Sequence, residues 1–175
     1  MIKIIGIVIA VLVAGVLLHA ANKPDTFRVE RSASIQAPPE RIFPLIDDLR
    51  AFNTWNPFEK KDPNLKGRYS GPPSGKGAGY AFEGNKDVGT GSIEILESSS
   101  PSRVTMRLSM VEPFRVQNVV DFTLAPNGGA TKVTWAMQGP APFLAKIIHV
   151  FIDMDRMVGK DFEAGLASLK AAVER

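Results

Sequence analysis

Hydrophobic patterning predicts an α+β protein: a curved antiparallel β-sheet of about seven strands wrapped on a long C-terminal helix, preceded by one N-terminal transmembrane helix. Three observations carry this reading. An unbroken apolar run opens the chain, alternating segments divided by turn-formers fill its middle, and helical periodicity takes over near its end.

From Ile4 to Leu18 no side chain is charged or strongly polar, and Ala20 and Ala21 extend the run past His19. As an α-helix, residues 4–21 would be about 27 Å long, close to the hydrocarbon thickness of a bilayer. Lys3 gives a positive flank, and Asn22-Lys23-Pro24-Asp25 stops the helix with polar residues and a breaker. A secretory signal has the same layout, but cleavage after Ala20 or Ala21 would put Leu18 or His19 where a small residue is needed, so an uncleaved anchor is favoured. A buried core helix fits less well because the run has no polar face. Lys3 and the terminal amine favour a cytoplasmic N-terminus and a domain on the non-cytoplasmic side, while Lys23, Arg28 and Arg31 weigh against it. The expected organisation is an anchor over residues 1–21 (or an uncleaved signal-like segment), a linker over 22–25 and one ligand-binding domain over 26–175.

After the linker, Phe27, Val29, Ala33 and Ile35 alternate with Arg28, Glu30, Ser32 and Ser34, the pattern of a half-buried strand. Ala37-Pro38-Pro39 stops it, and Ile42, Phe43, Ile46 and Leu49 recur at helical spacing, with Pro44 predicting a kink or late start. Residues 50–65 mix turn-formers and aromatics, predicting a short helix and loops. Strands are expected near 79–83, 91–97, 102–111, 115–124 and 131–138, with Asn127-Gly128-Gly129 as a hairpin turn before the last. Pro140 and Pro142 end the sheet. Phe162, Leu166, Leu169 and Val173 then mark one face of a long helix, the one element able to cover the sheet. The inward strand positions, including Val104, Leu108, Val116, Leu124 and Val133, are apolar.

This order of elements, with Ser34-Ile35-Gln36-Ala37-Pro38-Pro39-Glu40-Arg41-Ile42-Phe43 after the first strand, resembles the START-like (SRPBCC) superfamily. Trp55-Asn56-Pro57-Phe58, and Gly159-Lys160-Asp161-Phe162-Glu163 opening the last helix, look like its bacterial polyketide cyclase/dehydrase-like branch. The resemblance spans roughly residues 26–174. It implies a helix-grip fold, with a ligand cavity between the curved sheet and the C-terminal helix. It supplies no catalytic motif, because the branches share none.

The residues themselves exclude several chemistries. Net charge is only +3 and no basic run exceeds Lys60-Lys61, so no nucleic-acid partner is expected. Absence of cysteine removes disulfides, thiolate nucleophiles and cysteine metal sites. The two histidines, His19 and His149, form no cluster, and no serine triad is visible, so no catalytic residue, metal or cofactor is assigned. Gly71 to Gly77 lacks the spacing of a phosphate loop and is a turn. Expected cavity residues are Trp55, Tyr80, Phe82, Met106, Met110, Val120, Phe122, Trp135 and Met137, aromatics and adaptable thioethers suited to a greasy guest.

The function expected is binding or transport of a lipid-like or polycyclic molecule at a membrane held by residues 4–21. One alternative is a cyclase or dehydratase with a buried carboxylate base, for which Glu83, Glu94, Glu112 and Asp121 are the acids on or near the sheet, although a solvated strand face is the commoner role for each. The other is a structural or chaperone-like module with no cavity. Phe143 to Ile152 is too apolar for a fully exposed helix, with Lys146 and His149 as its polar face. It is read as a lid, a bilayer contact or a helix packed on the sheet end.

Overall fold

The computed structural model describes residues 2–175, with side chains from Lys3 onward. Seven antiparallel strands form one sheet: β1 (Thr26–Ile35), β2 (Lys66–Ser70), β3 (Gly79–Glu83), β4 (Thr90–Ser99), β5 (Arg103–Glu112), β6 (Val116–Asn127) and β7 (Ala130–Pro140). Their order is β1-β7-β6-β5-β4-β3-β2. After β1 leaves the sheet edge, each later strand folds back on its predecessor until β7 pairs with β1. The β6–β7 turn is Gly128-Gly129, both at positive φ (57° and 88°), the conformation that a two-residue hairpin turn requires.

The helices are α1 (Ile2–Ala21), α2 (Pro39–Ile42), α3 (Pro44–Asp47), α4 (Leu49–Trp55), α5 (Phe143–Phe151) and α6 (Met154–Val173), with a 3₁₀ turn at Glu59–Lys61. Pro44 breaks the helical run after β1 as expected. Lacking an N–H, it cannot continue the bonding pattern, and it sits instead at the first position of a new helix. The C-terminal helix starts earlier than the pattern suggested, at Met154. Asp153 sets that start, its carboxylate accepting from the Arg156 N–H at 2.9 Å. Gly159-Lys160-Asp161-Phe162-Glu163 therefore lies inside α6.

α6 lies on the concave face with Phe162, Leu166, Leu169 and Val173 buried. Two contacts fix it. The Arg31 guanidinium on β1 bonds Asp155 and Glu163 at 2.8 Å each and leaves no room for a side chain at Gly159. At Gly165 a Cβ would fall 2.6 Å from Trp135, so glycine allows α6 its close approach to the sheet. Under that crossing, Phe52, Trp55, Phe122, Trp135 and Phe162 form one aromatic cluster, with Trp135 stacked on Phe162 at 4.1 Å.

The register determines which loops share an end of the sheet. Thr26 pairs with Pro140, Thr90 with Glu112 and Lys66 with Glu83. The exit from α1, the approach to α5, the β5–β6 tip and the β3–β4 loop are therefore neighbours at one end. The β6–β7 turn, Gly71–Gly77 and the C-terminus of α6 lie at the other.

α1 projects from the first end, with Ala20 buried, Val16 half-buried and its large apolar side chains exposed. It packs on α5. The Lys23 ammonium donates to the His149 carbonyl at 2.7 Å, and Phe27 meets the His149 ring edge-on. α5 departs from the expected polar face. Lys146 is buried and paired with Asp25 at 2.5 Å, and His149 is half-buried, whereas Phe143, Leu144 and Phe151 face outward. The helix packs on α1, with Lys146 and His149 on the side turned towards it and towards the start of β1.

Candidate functional site

Between the sheet and α6 lies a cavity of about 240 Å³. Of the expected wall residues, Tyr80, Phe82, Met106, Met110, Val120, Trp135 and Met137 border it. Trp55 and Phe122 do not. Both are in the aromatic cluster behind the wall, Phe122 fully buried and Trp55 donating its indole N–H to the Leu45 carbonyl at 2.8 Å. Sequence phase shows that a strand residue points inward, but not whether it meets a void or another ring.

The opposite wall is Val158 and Phe162 from α6, Phe58 and Glu59 at the 3₁₀ turn, and Leu65, Asp87 and Val88 from loops. Asp87 is the one exposed residue among those lining the cavity, which puts the mouth beside the β3–β4 loop. Most of the lining is hydrocarbon, aromatic ring or thioether.

Besides Asn56 and Asp87, polar groups interrupt it at three places. The Tyr80 hydroxyl donates to Glu59 at 2.8 Å. Burial pushes the Glu59 carboxyl above its ordinary value, which this hydrogen bond partly offsets, and the Tyr80 phenol is pushed up by burial and then by the bond to Glu59. Asn118 Oδ1 and Trp135 Nε1 are buried without a hydrogen-bond partner, while Asn118 Nδ2 reaches the Met137 sulfur at 3.8 Å. Gly139 makes room for that amide, since any Cβ there would collide with it.

The four sheet acids lie elsewhere. Glu83, Glu94 and Glu112 are exposed, and Asp121 accepts from Thr105 at 2.7 Å and Arg103 at 2.8 Å, away from the cavity. The carboxylates at the site are Glu59 and Asp87, both in loops whose sequence has no periodicity to reveal a facing direction. Asn118 had a signal, being in phase with Val116 and Val120, but its polarity masked it. His149 lies at the α1–α5 contact, its imidazole held below the ordinary value by burial and then by Lys23. Among the described residues no three carboxylates or histidines converge on a metal position.

Residues 26–174 match the family described as polyketide cyclase / dehydrase and lipid transport. The chain belongs to this family. No curated protein matches the sequence. Among solved structures, a Chromobacterium violaceum protein is 18% identical with a TM-score of 0.60, over 87% of this chain and 99% of that one. The Aha1 dimer of Colwellia psychrerythraea is 18% identical with a TM-score of 0.60, over 85% and 96%. Major latex-like protein 151 of Panax ginseng is 11% identical with a TM-score of 0.63, over 86% and 99%. At such identities the likeness is one of fold: the START-like sheet gripping a C-terminal helix is shared across the family. The match begins at Thr26, so α1 lies outside it.

Proposed function

We propose that this chain binds a hydrophobic small molecule in the cavity beneath α6 and does so while held at a membrane by α1. The observation carrying the reading is the void itself. It has an apolar wall and a mouth in a family that includes lipid transport proteins. Apolar burial at about 25 cal/mol per Å² supplies the affinity, and the few polar groups orient the guest. Its volume, about 240 Å³, lies just below the roughly 300–1,000 Å³ of typical ligand pockets, favouring a single acyl chain or compact polycycle over a two-chain lipid. α1 is apolar over the length of a bilayer, so the anchor at residues 1–21, linker at 22–25 and binding domain at 26–175 work as one unit. A signal sequence has the same composition; persistence of residues 1–21 in the mature chain separates the two.

The test is a fatty acid carrying a photoreactive diazirine, added to the full chain in phosphatidylcholine vesicles. Crosslinks should map to peptides containing Met106, Val120 or Met137 and vanish in a folded Val120→Asp variant. Crosslinks confined to α1, or unchanged in that variant, would remove the cavity from the function.

One observation favours a second reading, a cyclase or dehydratase: the Glu59 carboxyl borders the cavity with a raised pKa and a phenol in contact. Such a carboxylate would serve as general base. Glu59→Gln separates the readings: it leaves crosslinking unchanged in both and abolishes conversion of the guest only in an enzyme.

A further inference from the structure

All the large hydrophobic side chains exposed outside α1, among the described residues, lie towards one end of the domain. Val111 and Phe114 are at the β5–β6 tip, Phe143, Leu144 and Phe151 on α5, Ile152 at the α5–α6 junction and Met157 in the first turn of α6. Phe151 is 72% exposed, Leu144 64% and Phe114 62%. The strand register puts the β5–β6 tip and the approach to α5 at the α1 end. The Arg31 contacts with Asp155 and Glu163 place the start of α6 towards that end as well. The opposite end, with the β6–β7 turn and the C-terminus of α6, has no such residue.

Water does not explain α5. A helix on a wet surface turns apolar residues inward and charges outward, whereas α5 buries the Lys146 side chain, its ammonium paired with the exposed Asp25, and presents Phe143, Leu144 and Phe151 to the outside. The tether decides what covers it. Only residues 22–25 separate α1 from β1, and four extended residues span at most about 14 Å. α1 is 20 residues, about 30 Å, so with its length in the hydrocarbon its C-terminal end reaches the headgroup boundary. The start of β1 is then held within about 14 Å of the acyl chains, about two headgroup thicknesses, and α5 packs directly on α1.

We infer that the β5–β6 tip, α5 and the first turn of α6 form a bilayer-docking surface around the cavity mouth, through which the guest passes between acyl chains and cavity without crossing bulk water. This rests on the reading of α1 as a membrane anchor. The mouth has the position it needs, since Asp87 and Val88 belong to the β3–β4 loop at this same end, and Met110 and Val158 border the cavity next to Val111 and Met157. Basic and acidic side chains are mixed there: Lys86 with Asp87, Arg115 with Glu112, Arg156 with Asp153 and Asp155. Docking is therefore driven by apolar insertion and needs no anionic lipid.

The chain has no cysteine, so a single introduced one carries a unique environment-sensitive fluorophore. Phe114→Cys, Leu144→Cys and Phe151→Cys, all at exposed positions, would be labelled in the full chain in phosphatidylcholine vesicles. Leu12→Cys reports on the anchor and Ala171→Cys on the far end of α6. The three surface sites should emit to the blue of Ala171→Cys, lose fluorescence to lipids bearing a nitroxide high on the acyl chain, and resist aqueous iodide. Leu12→Cys should lose fluorescence to a mid-chain nitroxide. Iodide access at the three sites with Leu12→Cys in lipid would overturn docking and leave the anchor standing. Iodide access at Leu12→Cys as well would overturn both. Shielding from iodide and lipid alike would mean that a second copy or another protein covers the surface, which also overturns the proposal.

Discussion

Removing the Phe162 ring should loosen α6 from the sheet by an amount the structure constrains. The side chain is 2% exposed, stacks on Trp135 at 4.1 Å with planes 11° apart, and borders the cavity. Core Phe→Ala changes cost about 3–5 kcal/mol, of which an aromatic pair accounts for about 0.5–1.5. The ring only borders the cavity and is otherwise closely packed, so the expected cost of Phe162→Ala is at least about 3 kcal/mol. At a urea slope near 2 kcal/mol per M, the unfolding midpoint would fall by about 1.5 M. Trp55 and Trp135, the two tryptophans and both buried in the same aromatic cluster, report unfolding of the full chain in mild detergent by their emission. Phe151→Ala is the comparison, since at 72% exposure it should change stability by less than about 0.5 kcal/mol. A Phe162→Ala cost below about 1 kcal/mol, or an equal cost at Phe151, would refute the packing argument.

Other expectations follow from single contacts. Gly165→Ala gains about 1 kcal/mol of helix propensity, yet its Cβ would meet Trp135 at 2.6 Å and Pro57 at 3.0 Å; overpacking at about 1–3 kcal/mol should win, and a raised Tm would contradict this. Glu59 has a folded pKa above its ordinary value near 4.5, so its contribution to stability is fully present below that pH and is lost as pH rises through the folded value. The Tm of wild type minus that of Glu59→Gln should therefore fall as pH rises above about 4.5, and a difference that rises would reverse the assignment. Gly129→Val, at φ 88°, should cost roughly 1–2 kcal/mol through left-handed strain, measurable in the same urea titration; no loss would count against the hairpin geometry.

Much of this molecule was legible because its elements are local. The Phe27–Ile35 alternation, the Asn127-Gly128-Gly129 turn and the Phe162–Val173 stripe each encode their own geometry within a dozen residues. Pro44 broke its helix for the reason a sequence can state, a missing N–H. What escaped depends on tertiary placement. Glu59 and Asp87 lie in aperiodic loops, and only the fold brings them to the cavity. Phe122 belongs to the same inward strand set as Trp135, and Trp55 ends helix α4, but the depth of the aromatic cluster decides which ring meets empty space. Asn118 was in phase yet read as a polar interruption. α5 was read with Lys146 and His149 as its polar face, and its contact with α1 and Asp25 turned that face inward.

The central claim is that a greasy guest occupies the space between sheet and helix, and native mass spectrometry of the full chain released from detergent addresses it most directly. A bound species of lipid-like mass, retained by wild type and by Phe151→Ala but absent from folded Val120→Asp, is the predicted result. Bare chain in every sample, or an adduct held equally by Val120→Asp, would contradict it.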